Sequence, residues 1–127
     1  MIQRMTPKGV ATPRGPYSPG VKCGDFIYVS GQIPVDPETN KPVTGDIKVE
    51  TRQVLENVKR VLEGCGATIA DVVKCNVYLV DVTDFAAMNE VYSEYFGEAK
   101  PARTTVAVAA LPLPGAKVEI DCIAYKE

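Results

Sequence analysis

Two charged side chains towards the end of the chain have the chemistry of a small acid–base site. Arg103 follows Pro101-Ala102 among small and apolar neighbours, and its planar guanidinium suits a carboxylate or phosphate. Glu119 lies in a β-branched segment, where burial would raise the pKa of its carboxyl group and a nearby Arg103 would lower it, and it is a candidate for proton transfer. The residues alone equally allow an internal ion pair of Arg103 with Glu119 or Asp121, and a plain surface glutamate.

Three further positions are candidates for lining a pocket. Tyr17 lies in residues 15–20, where two prolines and two glycines constrain the backbone around one ring, as in a lid or a packing anchor. Gly31, in Ser30-Gly31-Gln32, either lets a ligand approach a backbone N–H or marks a bulge. Asn89 follows an apolar helix position, so it reaches a pocket or solvent.

The 127-residue chain contains no histidine, which excludes several classes of site. A Ser-His-Asp triad, a Cys-His pair, a histidine-ligated zinc site and a proximal haem histidine all require that side chain. No phosphate loop, dinucleotide glycine motif or metal cluster occurs in the sequence. Because the formal charge is −2 and the basic residues are scattered, nucleic-acid binding is also disfavoured.

The cysteines and the apolar segments bear on location. Cys23, Cys65, Cys75 and Cys122 form no CxxC pair, so they are either structural disulfides of a secreted protein or buried thiols in a reducing compartment. We favour buried thiols, because residues 1–15 are polar and proline-rich and contain no apolar leader. The longest apolar stretch ends at Pro112 and is too short to span a bilayer. The sequence therefore predicts a soluble, cytoplasmic protein.

Hydrophobic periodicity predicts one α+β domain over residues 1–127. Residues 1–16 are expected to form a loosely held arm. Strands are predicted at 20–22, 25–32, 72–80, 104–110 and 117–125, with one helix capped by Asp46 and ended by Gly64, and another from Thr83 or Asp84 to Gly97. This order favours a mixed sheet with both helices on one face.

The other sheet face is predicted to be half apolar. Glu119, Ile123 and Tyr125 alternate with a buried set in the last strand, and Val73, Cys75, Val77 and Leu79 are expected to be buried in the strand at 72–80. Ala107 and Ala109, which alternate with Val106 and so share a face with Arg103 and Thr105, are assigned to this half-apolar face together with Tyr28 and Tyr78. Such a face favours a subunit interface over the modestly apolar surface of a monomer.

Six segments occur in an order that resembles the RidA family of reactive intermediate deaminases, also called the YjgF family. They are Gly15-Pro16-Tyr17-Ser18, Val29-Ser30-Gly31-Gln32-Ile33-Pro34, Glu56-Asn57-Val58, Asp84-Phe85-Ala86-Ala87-Met88-Asn89-Glu90-Val91-Tyr92, Pro101-Ala102-Arg103-Thr104 and Val118-Glu119-Ile120. The resemblance implies a chorismate-mutase-like fold, a homotrimer whose sheets form a central barrel, and pockets between subunits. It also implies cofactor-free hydrolysis of enamines and imines, such as 2-aminoacrylate and its imine tautomer, to 2-keto acids and ammonia.

The resemblance also assigns roles to individual residues. Arg103 matches the arginine that holds the substrate carboxylate, Gly31 the glycine whose N–H assists it, and Glu119 the acid near the attacking water. Tyr17 matches the tyrosine that closes the pocket, and Ser30 and Asn89 match residues that line it. Thr105 stands where many members have a cysteine whose backbone carbonyl takes part, and the loop at 111–116 is a residue longer than in some members.

Two other functions remain open at this point. A non-enzymatic module that binds small carboxylates would use the same arginine without needing Glu119. An RNA-cleaving inhibitor of translation, an activity ascribed to some members of that family, is disfavoured by the acidic pI and the lack of histidine.

Overall fold

The computed structural model describes all 127 residues and has a six-stranded mixed sheet with two α-helices. The strands are β1 (Ile2–Met5), β2 (Gly20–Cys23), β3 (Phe26–Gln32), β4 (Val72–Leu79), β5 (Ala102–Ala107) and β6 (Val118–Tyr125), and the helices are α1 (Ile47–Gly64) and α2 (Phe85–Phe96). The strand order is β1-β2-β3-β6-β4-β5, and only β4 and β5 are parallel neighbours. Neither helix is long and apolar enough to cross a membrane.

Helix α1 begins and ends where its sequence predicts. The Asp46 carboxylate accepts a hydrogen bond from the Val49 N–H at 3.0 Å, which satisfies one free donor of the first turn. Gly66, at φ 89°, adopts the left-handed conformation just after the helix. Between these ends the apolar positions face the sheet and are buried: Val54, Leu55, Val58, Val61 and Leu62.

Both helices cover the same face of the sheet, as predicted. A single cluster of 22 buried residues joins α1 and α2 to the inward side chains of β3, β4 and β6. In β6 the buried set is Val118, Ile120, Cys122 and Ala124, which leaves Glu119, Asp121 and Ile123 on the other face. We call that other side the open face.

The N-terminal arm is more ordered than predicted. Residues 2–5 form strand β1, which pairs antiparallel with β2 from Ile2 opposite Cys23 to Met5 opposite Gly20. Pro7 then packs so tightly on Gly64 that a Cβ added to that glycine would lie 2.3 Å from the Pro7 Cβ. The prediction of a loose arm was wrong, because four polar and apolar residues at a sheet edge carry too short a pattern to be recognised.

Two face assignments were also wrong. A register shift between Val72 and Lys74 turns Val73 outwards, so that Val73 is 46% exposed. In β5, Arg103 pairs with Cys75 and the alternate residues Thr105 and Ala107 follow, so these three lie on the helix-covered side. The open face receives Ala102, Thr104 and Val106 instead. The edge strand ARTTVA has no clear apolar alternation, so only its pairing with β4 determines its faces.

Three of the four cysteines are buried, and Cys23 is exposed. The prediction of four buried thiols was therefore wrong at Cys23, which lies at the end of β2. Burial raises the pKa of the Cys65 and Cys122 thiols, and it raises that of Cys75 to about 11.

This burial predicts selective alkylation. Because the thiolate is the reactive species, iodoacetamide at pH 8 should label the native chain once, at Cys23, and the unfolded chain at all four positions. Mass spectrometry counts the labels, and a Cys23→Ser chain should remain unlabelled while folded. Rapid labelling of Cys75 or Cys122 in the native protein would contradict the packing described above.

Candidate active site

The Arg103 guanidinium lies in an aromatic cradle and has no acidic partner. Its Nη1 donates to the Asn89 Oδ1 at 2.7 Å, and its Cζ lies 4.7 Å from the ring centre of Tyr92 and 5.6 Å from that of Phe85. The three ion pairs of the chain involve other residues: Lys48–Glu90, Arg52–Glu94 and Lys117–Glu50. A half-buried guanidinium with unused donors and no counter-ion is a ready anchor for a carboxylate.

Helix α2 provides the whole cradle. Phe85, Asn89 and Tyr92 are spaced four and three residues apart, so they lie on one helical face beside β5. Tyr92 is buried and packs on Phe96 with ring centres 4.7 Å apart, which holds the ring beneath the guanidinium. Burial, with the Cys75 thiol as a second cause, raises the pKa of the Tyr92 phenol, so the ring stays neutral. Of the two alternatives for Asn89, a pocket or solvent, the hydrogen bond to Arg103 shows that its side chain faces the pocket.

A bulge in β3 places Gly31 against Glu119. Val29 pairs with Cys122 but Gln32 pairs with Ile120, so β3 has one extra residue at this point. A Cβ added to Gly31 would lie 2.2 Å from the Glu119 Oε2, so only glycine leaves room for the carboxylate in this position. Of the two alternatives for Gly31, the structure shows the bulge, and the approach of a ligand to its N–H remains a prediction.

The Glu119 carboxylate is half-buried and makes no hydrogen bond or ion pair within the chain. Burial, with the charge of Asp121 as a smaller cause, raises the pKa of Glu119 above its ordinary value of 4.5. A carboxyl group with free lone pairs and a raised pKa is suited to exchanging protons with a bound molecule.

The segment that carries Tyr17 is attached to the same bulge. Ser30 donates through its Oγ to the Ser18 carbonyl at 2.6 Å and through its N–H to the Pro19 carbonyl at 2.9 Å. Tyr17 is 47% exposed, and its hydroxyl accepts from the Arg14 N–H at 3.1 Å. Together these residues surround a cleft of about 550 Å³ lined by Arg14, Tyr17, Ser30, Gly31, Ile33, Pro112, Leu113, Pro114 and Glu119. We call it the Glu119 cleft.

Arg103 and Glu119 do not meet within one chain. Arg103 pairs across β5 and β4 with Cys75 on the helix-covered face, whereas Glu119 pairs with Tyr78 on the open face. They are two strands and three residues apart, which at about 4.8 Å per strand and about 3.3 Å per residue separates their Cα atoms by about 14 Å. The internal ion pair left open by the sequence is absent. The candidate site therefore consists of two halves on opposite sides of the sheet.

Thr105 belongs to the Arg103 half. It follows Arg103 by two residues and pairs with Val77, and its hydroxyl is buried without a hydrogen-bond partner. The sequence also missed Phe85 and Tyr92 as functional neighbours, because aromatic residues at helical spacing read first as core. The sequence signal that could have found Phe85 and Tyr92 is their spacing of four and three residues from Asn89, which places all three on one helical face.

Comparison with known proteins identifies the chain at family level. The family model described as Endoribonuclease L-PSP matches residues 8–126. The chain belongs to this family, the RidA/YjgF family. The resemblance carried by the six sequence segments is thus confirmed. The match covers both half-sites, from Tyr17 to Glu119.

Individual members of the RidA/YjgF family are similar over nearly their whole length. A RutC family protein of Pyrococcus abyssi is 59% identical over 91% of this chain and 90% of its own. The 2-iminobutanoate/2-iminopropanoate deaminase of Dermatophagoides farinae is 43% identical over 97% of this chain and all of its own. The crystal structure of the YjgF gene product of E. coli superposes with a TM-score of 0.91 at 39% identity, covering 98% and 99% of the two chains.

Proposed function

We propose that the chain hydrolyses the imine and enamine forms of 2-amino acids, such as 2-iminopropionate and 2-aminoacrylate, to 2-keto acids and ammonia. The observation that carries the proposal is Arg103, a guanidinium held in an aromatic cradle without a counter-ion. The half-buried, unpartnered Glu119 supplies the second requirement, a group that can exchange a proton. Relatives named as deaminases in Dermatophagoides farinae and Arabidopsis thaliana support the same chemistry.

The proposed site lies between two copies of the chain in a chorismate-mutase-like trimer. Since the Arg103 half and the Glu119 cleft lie on opposite sides of the sheet, a second chain is the simplest way to bring them to one substrate. The open face offers an apolar surface for that contact, with Phe26, Tyr28, Val106 and Tyr125 each 40–45% exposed. In a closed ring of three, each chain gives Arg103 to one neighbour and Glu119 to the other.

Substrate binding follows from the Arg103 half. The carboxylate of the imino acid takes the unused N–H donors of Arg103, while the bond to Asn89 keeps the guanidinium plane fixed. The Tyr92 ring below it excludes water and strengthens this pairing. The substrate then enters the Glu119 cleft with its C2 atom directed at the Glu119 carboxyl group. Tyr17 covers the entrance of the cleft, and the N–H of Gly31 donates to the substrate carboxylate.

Proton transfer is the role of Glu119. The protonated carboxyl group donates to the imine nitrogen as water adds at C2, and the resulting carboxylate takes the proton released by that water. The carbinolamine then loses ammonia, so one water is consumed for each 2-keto acid and ammonia formed. The C2 atom of an imine is already electrophilic, and a held water with one positioned acid–base group suffices without metal or cofactor.

A mixed-chain experiment tests the shared site. Arg103→Ala and Glu119→Gln chains carrying different tags are co-expressed, and trimers that contain both are isolated through both tags. In a ring of three, one of the three sites then combines an intact Arg103 with an intact Glu119, so about one third of wild-type activity should return. Each variant alone provides the baseline, and the outcome that sinks the shared site is a mixed trimer no more active than either variant.

Calorimetry combined with a turnover assay separates catalysis from simple binding. A carboxylate-binding module without activity would bind 2-keto acids in calorimetry, with no turnover by the wild type and no loss of binding in Glu119→Gln. RNA cleavage, which the name of the family model suggests, receives no support from this chain, since it has no histidine and a net charge of −2. We further propose a cytoplasmic location, because free thiols persist in reducing compartments.

A further inference from the structure

The Glu119 cleft contains one charged residue that the proposed reaction leaves without a role, Arg14. Arg14 and Glu119 are the charged residues of its lining, and no ion pair joins them. The rest of the lining is uncharged and includes the apolar side chains of Ile33, Pro112 and Leu113. Because Arg14 is the one cationic residue of the lining and is not neutralised by Glu119, it favours a ligand that carries a second negative charge.

Arg14 is exposed, and hydrogen bonds to the backbone and to Tyr17 hold it in place. Its Nη2 donates to the Asn40 carbonyl at 3.0 Å, and its own backbone N–H donates to the Tyr17 hydroxyl at 3.1 Å. Asn40 is in the left-handed conformation at φ 59°, and its N–H donates to the Asp36 carbonyl at 2.7 Å. The Asn40 carbonyl therefore belongs to an ordered turn. Since a guanidinium has five N–H donors, several remain available for a ligand.

The cleft has room for more than the smallest imino acid. The six non-hydrogen atoms of 2-iminopropionate, at roughly 30 Å³ each, the share of a water molecule in the liquid, occupy roughly 180 Å³. The cleft measures about 550 Å³. A nine-atom imino dicarboxylate needs roughly 270 Å³ on the same basis and fits as well. The volume of the cleft therefore admits the longer substrate, and the positive charge of Arg14 favours its second carboxylate.

We propose that Arg14 forms a second anion-binding subsite and that the preferred substrates are 2-imino dicarboxylic acids, of the size of 2-iminosuccinate. This inference rests on the proposed function: Arg103 of one chain binds the carboxylate next to C2, and Arg14 of the neighbouring chain binds the distal carboxylate. The reaction is unchanged, with one water consumed and a 2-oxo dicarboxylate and ammonia released. The Tyr17 hydroxyl accepts from the backbone N–H of Arg14, which places the ring beside the subsite.

A ratio of specificities tests the subsite. Flavoprotein oxidases generate the imines of aspartate and alanine in the assay mixture. Semicarbazide traps the imine that this protein has not hydrolysed, so the amount trapped reports the rate of hydrolysis. In the wild type, kcat/KM should be higher for the aspartate-derived imine, and Arg14→Gln should lower the ratio of the two values about tenfold. Arg14→Lys, which keeps the charge, should retain most of the ratio.

Arg60 provides a matched control, because its Nη1 also donates to a backbone carbonyl, that of Gly9 at 3.4 Å, and it lies outside the cleft. Arg60→Gln should leave the ratio unchanged. An equal ratio in wild type and Arg14→Gln, with activity on both imines intact, overturns the subsite and leaves the proposed function standing.

Failure of the wild type on every imine overturns the proposed function instead. Calorimetry then decides the subsite separately, with 2-oxoglutarate and 2-oxobutanoate as probes. Tighter binding of 2-oxoglutarate that Arg14→Gln abolishes supports the subsite, and equal binding of the two probes rejects it.

Discussion

Replacing Arg103 with alanine is expected to lower kcat/KM for imine hydrolysis by about 10²- to 10⁴-fold. The substitution removes a charge-assisted, two-pronged contact with the substrate carboxylate, each of whose hydrogen bonds is worth about 1.5–3 kcal/mol. The aromatic cradle makes the contact stronger than one at an open surface, because Tyr92 excludes water below the guanidinium. Most of the loss should appear in KM, since the carboxylate is held in both the ground state and the transition state.

Arg103→Lys distinguishes the effect of the paired guanidinium donors from the effect of the positive charge. Lysine keeps a cation over Tyr92 but cannot reproduce the planar pair of donors, so an intermediate loss of about tenfold is expected. Arg60→Ala, at an arginine outside both half-sites, controls for the removal of a surface guanidinium. Steady-state kinetics with a coupled imine source measures all three variants. An Arg103→Ala chain that is folded, oligomeric and fully active would reject Arg103 as the carboxylate anchor.

Replacing Glu119 with glutamine is expected to lower kcat by about 10²- to 10⁴-fold, the usual contribution of one positioned acid–base group. Glutamine has nearly the same shape, so the packing against Gly31 should survive while the proton exchange is lost. In contrast to the Arg103 variants, the binding of a 2-keto acid in calorimetry should change little. The separation of kcat from binding identifies a role in proton transfer rather than in anchoring.

Although Glu119→Gln should lose activity, it should gain stability relative to wild type as the pH rises. Because burial raises the pKa of Glu119 in the folded chain above 4.5, the folded state prefers the protonated form. That preference stabilises the fold below the unfolded pKa and is lost as pH rises through the folded pKa. Thermal unfolding should therefore find Glu119→Gln at least as stable as wild type at pH 7, with an advantage that grows from pH 4 upwards.

Glu63→Gln, at an exposed glutamate near the end of α1, is the matched control and should change neither property. Two results would count against the role of Glu119. One is full activity of Glu119→Gln, and the other is a loss of stability at pH 7 that tracks its loss of activity, since a folding defect alone would then explain both.

Local patterns were sufficient for most of the fold. Helix α1 follows from its apolar spacing together with Asp46 and the glycines after it, and the faces of β6 follow from strict alternation. Strand β1 and the outward turn of Val73 were not predictable in the same way. A four-residue edge strand and a one-residue register shift leave almost no periodic signal, and both depend on which strand pairs beside them.

The sequence by itself determined the chemistry available to this protein. Without histidine, proton exchange is left to carboxylates, lysine, tyrosine or cysteine, and among these and the arginines the resemblance to the RidA family points to Arg103 and Glu119. Only the tertiary structure decided that these two residues lie on opposite sides of the sheet and that Arg103 has Tyr92 and Asn89 as neighbours. The physical reason is that side chains alternate along a strand, so the pairing of one edge strand with β4 determines the face on which each of its residues lies.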